Sequence, residues 1–258
     1  MATVLYDSPV FGPVHSRRLG VSLGINLMPA DGKICTFDCI YCECGRNCTH
    51  RPEHHRPSRE QVHNALEKVL SNMKENGPEP NVLTFAGNGE PTAHPDFPLI
   101  VDDVLRLRDH FFPDARVSVL SNATRVTVKP VFDALLKLDN NIQKLDTVNP
   151  EYISLIDSPV GDYSVERVIE ALARFNGHVI IQTMFLTGSL DGRDMDNTSD
   201  FYLLPWIDAL KRISPSQVMI YTIDRETPVN TLRKASPDSL DRIADMLRRE
   251  GFKVQVSY

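Results

Sequence analysis

The 258-residue chain is 41% hydrophobic and carries 28 basic against 34 acidic side chains, which gives a formal net charge of -6 at pH 7. This length can bury one sizeable core, so we expect a single domain over residues 1–258. The acidic balance disfavours a protein that binds the backbone of nucleic acids over a broad surface. The sequence has no stretch of about 18 apolar residues and no leader-like start, so we expect a cytoplasmic protein that neither spans a membrane nor is exported.

The first predicted strand leads into a cysteine-rich loop. Residues 1–19 are predicted to be irregular because Pro9, Gly12 and Pro13 interrupt any hydrophobic period. The alternating apolar residues of segment 19–28 then predict a strand. The cysteines follow that strand directly.

Three cysteines in this loop, Cys35, Cys39 and Cys42, are separated by three and then two residues. A triplet this tight can hold an iron-sulfur cluster from a loop, and three ligands leave one iron of a 4Fe-4S cluster open to another ligand. A structural zinc ion would need four protein ligands, and a disulfide framework is typical of small secreted domains. The spacing therefore predicts a 4Fe-4S cluster.

A second ligand-rich segment follows the triplet and contains Cys44, Cys48, His50, His54 and His55. It could in principle hold zinc, but two cysteines are too few for a second cluster and the histidines lie in a predicted surface loop. We expect free thiols there. Five cysteines within fourteen positions also indicate a reducing compartment.

A glycine-rich turn ends the second predicted strand. A helix starting at Ser58 leads to a strand over 81–86, which runs into Gly87-Asn-Gly-Glu-Pro91. Glycines let the backbone approach a ligand with no β-carbon in between. A tight turn without a ligand is the alternative.

Polar residues also end the third predicted strand. A helix over 97–112 precedes a strand over 116–120, which is followed by Ser121 and Asn122. Barrel enzymes build their sites at the C-terminal ends of strands, so these residues are candidates. Ser and Asn equally favour caps and turns.

The fourth predicted strand carries an alternating pair of charges. After a helix over 130–138, Lys144 and Asp146 point to the same side of a strand over 142–146. In a cleft from which water is excluded, a lysine ammonium can bind the carboxylate of a ligand through a charge-assisted hydrogen bond. For a strand inside a barrel we favour this reading over surface exposure.

The fifth predicted strand, 178–185, follows a helix over 165–175 and is mostly apolar, as strands buried on both faces are. Gln182 is its one strongly polar interior residue. It either faces a ligand or is a satisfied core glutamine. The polar loop 188–199 is long enough to be a lid over the site.

The remaining elements are a helix over 201–213, a sixth strand over 217–222, a helix over 236–247 and a final short strand over 252–257. The alternation of strands and helices predicts an α/β fold, a partial (β/α)6 TIM-like barrel of parallel strands with short N- and C-terminal extensions. In such a fold the cysteine loop, the glycine turn and the polar strand ends share one rim.

The cysteine triplet, with Tyr41 before its third member, resembles the signature of the radical S-adenosylmethionine (radical SAM) superfamily. The phrases Gly12–Gly20, Gly87–Pro91 and Lys144–Asp146 resemble the small iron-sulfur oxidoreductase group related to tRNA wyosine synthases. The resemblance covers nearly the whole chain. It implies that S-adenosyl-L-methionine (SAM) chelates the open iron of a 4Fe-4S cluster. It also implies reductive cleavage of SAM to methionine and a 5'-deoxyadenosyl radical, which abstracts a hydrogen from the substrate.

The resemblance also implies which residues bind SAM. Tyr41 would flank the adenine, while Gly89, Glu90 and Pro91 would serve the amino group. Asn88 stands where the usual phrase has a second glycine.

Further implied SAM contacts come from later strands. Ser121 and Asn122 would lie near the ribose or the methionine part. Lys144 and Asp146 would contact the carboxylate and the ribose, and Gln182 would face SAM. No catalytic side chain beyond this site is implied, and an electron donor such as flavodoxin or ferredoxin would be a partner.

One departure limits the resemblance. Archaeal-type wyosine synthases carry a second set of cysteines before the signature, whereas no cysteine precedes Cys35. Together with the acidic charge, this argues against tRNA as substrate. The alternatives are a glycyl radical enzyme activase, a wyosine-synthase-like tRNA-modifying enzyme, and a non-enzymatic electron-transfer or scaffold protein. A carrier of the last kind would need four cysteine ligands and no SAM pocket.

Overall fold

The computed structural model describes residues 4–16, 20–47 and 51–258. Its strands are β1 (Val10–Ser16), β2 (Gly20–Ile25), β3 (Val82–Phe85), β4 (Arg116–Ser121), β5 (Asn140–Lys144), β6 (Ile180–Met184), β7 (Leu186–Leu190), β8 (Arg193–Asp194), β9 (Gln217–Tyr221), β10 (Leu232–Lys234) and β11 (Val254–Ser257). Its α-helices are α1 (Arg59–Asn76), α2 (Phe97–Phe111), α3 (Lys129–Leu135), α4 (Pro150–Ile156), α5 (Val165–Ala173), α6 (Asp200–Ile213) and α7 (Pro237–Arg249). Arg17, Arg18, Cys48 and His50 lie outside the described residues.

Eight strands form one sheet in the order β1, β2, β3, β4, β5, β6, β9, β11. β1 is antiparallel to β2, and every other neighbouring pair is parallel. β1 and β11 each pair on one side only, so the sheet is not closed. The predicted α/β fold, a partial barrel of parallel strands, is confirmed. None of the described helices is both long and apolar enough to span a bilayer.

Helices connect the consecutive parallel strands, and α1 illustrates why the sequence forms them. The side chain of Ser58 accepts a hydrogen bond from the backbone N–H of Gln61, whose side chain accepts one from the N–H of Ser58, so two free donors are satisfied. Four apolar side chains at helical spacing form the buried face: Val62, Leu66, Leu70 and Met73. The helix ends at Gly77, whose positive φ of 64° suits glycine.

The core fixes the backbone that carries part of the site. Trp206 of α6 is almost fully buried, packs edge-on against Phe185 and donates a hydrogen bond of 3.0 Å from Nε1 to the carbonyl oxygen of Leu145. Leu145 follows β5 directly and precedes Asp146. The aromatic core therefore holds the end of β5 in place.

The prediction of irregular structure over residues 1–19 is wrong for Val10–Ser16, which form β1. The register of β1 against β2 shifts between Phe11 and Val14, where Gly12 and Pro13 lie. Gly12 and Pro13 therefore produce a bulge in an edge strand, where proline is tolerated, and they do not end the strand.

The prediction of an irregular loop over 188–199 is also wrong in part. β7 and β8 form a hairpin, and β7 also pairs with β10. Gly188 adopts φ 106°, and a β-carbon there would lie 2.3 Å from the carbonyl oxygen of Thr231. The glycine that suggested a loop instead permits close strand pairing; the gating role stays a prediction.

Two further boundaries differ. β5 ends at Lys144, so Asp146 lies beyond the strand and not within it. The short helix α4 was not predicted; it begins after Asn149, whose side chain accepts a hydrogen bond of 2.9 Å from the N–H of Tyr152. Seven residues are too few for helical periodicity to stand out in the sequence.

Candidate functional site

The cysteine loop, residues 33–47 between β2 and α1, has no regular structure and is held by its own polar groups. Asn47 donates from Nδ2 to the carbonyl oxygens of Cys35 (3.2 Å) and Phe37 (3.1 Å). Its backbone N–H donates to Asp38 Oδ1 at 2.7 Å. These bonds fold the end of the loop back over its start, so the thiols are presented from a closed turn.

The loop docks on the glycine turn through backbone contacts. The N–H of Ile34 donates to the carbonyl oxygen of Asn88 (3.0 Å), and the N–H of Glu90 donates to the carbonyl oxygen of Ile34 (3.2 Å). Gly89 lies between them with φ 142°, and a β-carbon there would lie 1.8 Å from the oxygen of Ile34. The close approach that the glycine permits is to the cysteine loop itself.

Asn88, the departure from the usual phrase, is fully buried and ties the turn to the N-terminal segment. Its side chain donates to the carbonyl oxygens of Tyr6 (2.9 Å) and Pro29 (2.8 Å) and accepts from the N–H of Tyr6 (2.8 Å). Asn26 completes the arrangement, since its Oδ1 accepts from the N–H of Asn88. The side chain of Asn88 therefore holds the glycine turn against the N-terminal segment.

Glu90 and Asn122 join the turn, the end of β4 and the cysteine loop. Glu90 is buried, and its Oε2 accepts from the N–H of Asn122 at 2.7 Å. Asn122 Nδ2 donates to Thr36 Oγ1 (2.8 Å) and lies 3.6 Å from Cys35 Sγ. Burial raises the pKa of Glu90, and the hydrogen bonds that its carboxylate accepts from the N–H of Asn122 and from Thr92 partly offset that rise. Two predicted residues thus form one network with a predicted cluster ligand.

Ser121 and Pro91 lie beside Glu90, and the side chain of Ser121 hydrogen-bonds its carboxylate. The hydroxyl of Ser121 accepts a hydrogen bond of 3.2 Å from the N–H of Ala123, as expected of a turn residue. Pro91 begins a short 3-10 helix, Pro91–Ala93, and is buried. Within the described residues, neither the Ser121 nor the Pro91 side chain forms a hydrogen bond with a cysteine.

Lys144 lies at the centre of a charged cluster beside Cys39. Its Nζ is 2.5 Å from Asp146 Oδ2 and also donates to Asp157 Oδ1. The hydroxyl of Tyr41 donates to Asp146, and the Lys144 ammonium lies 5.4 Å from the centre of the Tyr41 ring. Burial opposes the charge of Lys144, but the two carboxylates outweigh it and raise its pKa. The predicted residues Tyr41, Lys144 and Asp146 are therefore in mutual contact.

Sequence reasoning missed Asp157, which follows α4. Its Oδ1 lies 3.5 Å from Cys39 Sγ, and burial raises its pKa to about 6 despite the neighbouring Lys144. Since α4 was not predicted, no pattern marked the residue after it.

Gln182 lies on β6 directly beside Lys144 in the parallel register. Its side chain is partly buried, and its amide makes no hydrogen bond with the described residues. The structure therefore places Gln182 on the strand next to Lys144, with no hydrogen bond from its amide to the part of the chain that the structure describes.

A rim cluster of Tyr6, Glu43 and Arg225 was also missed. The Tyr6 hydroxyl donates to Glu43 Oε1 at 2.7 Å, and Arg225 Nη1 donates to Glu43 Oε2 at 2.7 Å. Burial, followed by Glu43, raises the pKa of Tyr6 to about 12. The rim cluster's only signal in the sequence is the polar phrase Thr222-Ile-Asp-Arg225 at the end of the sixth predicted strand.

The three thiols differ in their surroundings. Burial raises the pKa of Cys35 to about 12 and also raises that of Cys39. A hydrogen bond from the Cys44 thiol, followed by the Lys33 ammonium, lowers the pKa of Cys42 to about 6. Cys42 is thus the thiol most readily ionised.

The donor set of the cysteine triplet is chemically suited to an iron-sulfur cluster. Within residues 4–16, 20–47 and 51–258, no three His, Cys, Asp or Glu side chains converge on a point that could hold one metal ion. A four-iron cluster makes a different demand, because each thiolate binds a separate iron. Cys35, Cys39 and Cys42 each face a different neighbour and carry sulfur, the donor that iron-sulfur clusters prefer.

The family model described as the Radical SAM superfamily matches residues 31–202, more than half of the chain. The chain belongs to the radical SAM superfamily. The predicted superfamily is thereby confirmed, and the matched range includes the cysteine triplet and every residue predicted to bind SAM.

Curated relatives match most of this chain. The UPF0026 protein MJ1312 of Methanocaldococcus jannaschii is 29% identical over 219 residues, covering 82% of this chain and 62% of the relative. A UPF0026 protein of Helicobacter pylori is 28% identical over 235 residues, covering 90% and 71%. A protein named GTPase Obg from Brachyspira hyodysenteriae is 26% identical over 241 residues, covering 90% and 32%. The chain thus spans less than two thirds of two of these relatives.

Two solved structures share the fold of this chain. A radical SAM methyltransferase from Sphaerobacter thermophilus superposes with a TM-score of 0.69 at 16% identity, covering 96% of this chain and 68% of that protein. SuiB from Streptococcus suis bound to S-adenosylmethionine gives a TM-score of 0.64 at 14% identity, covering 91% and 50%. At these identities the likeness concerns the fold alone.

Proposed function

We propose that this protein is a radical SAM enzyme that binds a 4Fe-4S cluster and cleaves SAM reductively to a 5'-deoxyadenosyl radical, which abstracts a hydrogen from an unidentified substrate. One observation carries the proposal. Tyr41, Lys144 and Asp146, which the sequence predicts to bind SAM, meet in one charged cluster that reaches Cys39 through Asp157.

The cysteine loop would hold the cluster. When bound, the cluster would supply the electron that breaks the carbon-sulfur bond of SAM, while the protein binds, orients and excludes water. Cys35, Cys39 and Cys42 would each ligate one iron. Hydrogen bonds to the sulfurs are one means by which proteins tune such clusters, and the amide of Asn122, 3.6 Å from Cys35 Sγ, is placed to donate one.

The charges next to Cys39 suit a cationic ligand. Two carboxylates, Asp146 and Asp157, face the single ammonium of Lys144 in a buried setting. The cluster of three side chains therefore carries an excess of negative charge, which would favour the positively charged sulfonium of SAM. Gln182, whose amide has no hydrogen-bond partner among the described residues, lies on the neighbouring strand beside Lys144.

The glycine turn offers a backbone acceptor for the amino group of SAM. The carbonyl of Asn88 is occupied by the N–H of Ile34, whereas the carbonyl of Gly89 accepts no hydrogen bond from any described residue. A free carbonyl one residue from the docked cysteine loop supports the predicted role of Gly89. Glu90 would act by holding this turn against Asn122.

The proposal includes an electron donor such as flavodoxin or ferredoxin, because the cluster must be reduced for each cleavage. It also includes a cytoplasmic location, and it does not include nucleic acid as a partner. These points rest on the predicted chemistry and on the acidic net charge of -6.

The test is anaerobic reconstitution with iron and sulfide, then reduction in the presence of SAM and chromatography for 5'-deoxyadenosine. The intact protein is compared with Cys39→Ala and with Cys48→Ala, a cysteine outside the triplet. We expect product from the intact protein and from Cys48→Ala but none from Cys39→Ala. Iron bound without SAM cleavage would support a scaffold or carrier, and zinc bound in place of iron would overturn the proposal.

A further inference from the structure

A lysine is buried inside the cysteine loop. Lys33 is 4% exposed, and its Nζ donates to the carbonyl oxygen of Gly45 at 2.8 Å and lies 3.5 Å from Asp38 Oδ1. Asp38 and Gly45 flank the segment that carries Cys39 and Cys42. The ammonium is therefore enclosed by the backbone turn that presents two of the three thiols.

The protein provides only a partial counter-charge for this ammonium. Asp38 lies at the limit of hydrogen-bond distance and also accepts from the N–H of Asn47 and faces Arg46 at 4.0 Å. A buried ammonium is costly unless an anion compensates it. The carboxylate of Asp38 is thus shared among several donors.

The three thiols of the triplet lie around the same ammonium, and the side chain of Lys33 hydrogen-bonds Cys42. A cysteine binds iron as its thiolate, so a bound cluster would place its negative charge beside Lys33. The cation and the triplet stabilise each other's charged forms.

We infer that Lys33 is a positioning residue whose buried ammonium is the counter-charge of the cluster, holding its reduction potential higher than an uncharged side chain would. This inference rests on the proposed function. On reduction, one electron passes from a low-potential donor to the cluster, the donor is oxidised by one electron, and Lys33 keeps its protons. A fixed positive charge stabilises the more negative, reduced form more than the oxidised form.

The variant that tests this is Lys33→Met, which keeps the length of the side chain and removes the charge. Lys33→Arg keeps the charge, and Lys68→Met makes the same chemical change at an exposed position of α1. Each full-length protein is reconstituted, its iron and sulfide are counted, and the cluster is titrated with a dithionite-poised series while its paramagnetic signal is recorded.

We expect Lys33→Met to show a more negative midpoint potential, with Lys33→Arg close to the intact protein and Lys68→Met unchanged. An unchanged potential in Lys33→Met at full iron content would overturn the inference. If Lys33→Met retains no iron while Lys33→Arg does, the positive charge is required for the protein to bind the cluster, which supports the inference. If Lys33→Met and Lys33→Arg both lose iron while circular dichroism shows that both are folded, the loss of iron is not caused by the loss of charge. The inference then fails.

The two proposals fail in different ways. An intact protein that binds no cluster would overturn the proposed function before Lys33 is considered. An intact protein that forms 5'-deoxyadenosine, with a Lys33→Met potential equal to its own, would overturn only the role of Lys33.

Discussion

The thiol of Cys39 lies 3.5 Å from the carboxylate of Asp157, a residue 118 positions later in the chain. The same carboxylate accepts a hydrogen bond from Lys144. Asp157 therefore links a predicted cluster ligand to the charged cluster that is predicted to bind SAM. The following predictions start from this contact and from comparable contacts elsewhere.

Asp157→Asn should stabilise the metal-free protein at neutral pH. Burial raises the pKa of Asp157 to about 6, so the folded protein disfavours its charged form, and asparagine keeps an oxygen acceptor for Lys144 without a second negative charge beside Asp146. We expect a gain of about 1–3 kcal/mol in the free energy of unfolding at pH 7, which disappears as the pH falls below about 4, measured by urea denaturation of the metal-free protein. Asp162→Asn, which removes an exposed partner of Arg167, should cost about 0–1 kcal/mol. A loss of stability in Asp157→Asn at pH 7 would contradict this prediction.

Gly89→Ala should separate the cysteine loop from the glycine turn. The new β-carbon would lie 1.8 Å from the backbone oxygen of Ile34, at a φ of 142°. Backbone strain should cost about 1–3 kcal/mol, and overpacking should add about 1–3 kcal/mol. We also expect a fall in the iron retained after reconstitution.

The matched control for this change is Gly161→Ala. Gly161 has a φ of 93°, but a β-carbon there would meet no atom within 4 Å. The control should therefore show the strain without the clash and should keep the iron. Loss of iron from both variants would mean that backbone strain, and not the contact with Ile34, is responsible.

Asn88→Gly restores the usual superfamily residue and should loosen the N-terminal segment. The change removes the side chain that bonds both the N–H and the carbonyl oxygen of Tyr6. We expect faster amide hydrogen exchange over residues 4–9 and a loss of about 1–3 kcal/mol in stability. Asn176→Gly, at an exposed residue with a φ of 49°, should be close to neutral because glycine adopts that conformation easily. Unchanged exchange over residues 4–9 would refute the tethering role of Asn88.

The pair of Asp31 and His54 should give a pH-dependent contribution to stability. The imidazole of His54 lowers the pKa of Asp31 to about 2, and Asp31 raises the pKa of His54. The Asp31 contribution is present above the ordinary pKa of about 4 and is lost as the pH falls through about 2. The His54 contribution is complete below its ordinary pKa of about 6.5 and is lost as the pH rises through its raised value.

This prediction is checked by following the imidazole resonances of His54 during a pH titration. Asp31→Asn should lower the pKa of His54, while the neighbouring His55 serves as the internal control. A His54 that titrates identically in both proteins would show that the contact with Asp31 is absent in solution.

The alternation of parallel strands and helices could be predicted from the sequence because apolar runs, glycines and prolines are local signals. The errors fall where a local signal has two meanings. Gly12 and Pro13 can end a strand or create a bulge, and Gly188 can mark a loop or a close strand pair. Only the contacts with neighbouring segments in the folded protein decide between the two meanings.

The sequence marks the candidate cluster ligands but not the side chains that surround them. The spacing of the cysteines and the phrase Gly87–Pro91 are local patterns, so Cys35, Cys39 and Cys42 stood out. The partners Asn122 and Asp157 reach their cysteines only after folding, and Lys33 gave no pattern because its burial depends on how the loop closes.

The rim cluster connects the surface of the protein to the cysteine loop. Glu43 follows Cys42 directly, and its carboxylate is shared by Tyr6 from the N-terminal segment and by Arg225, whose side chain is 53% exposed, from beyond β9. A molecule that captures the guanidinium of Arg225 would take one of the two hydrogen bonds from Glu43. Because Glu43 follows Cys42 directly, a ligand bound to Arg225 would loosen a contact one residue away from a predicted cluster ligand.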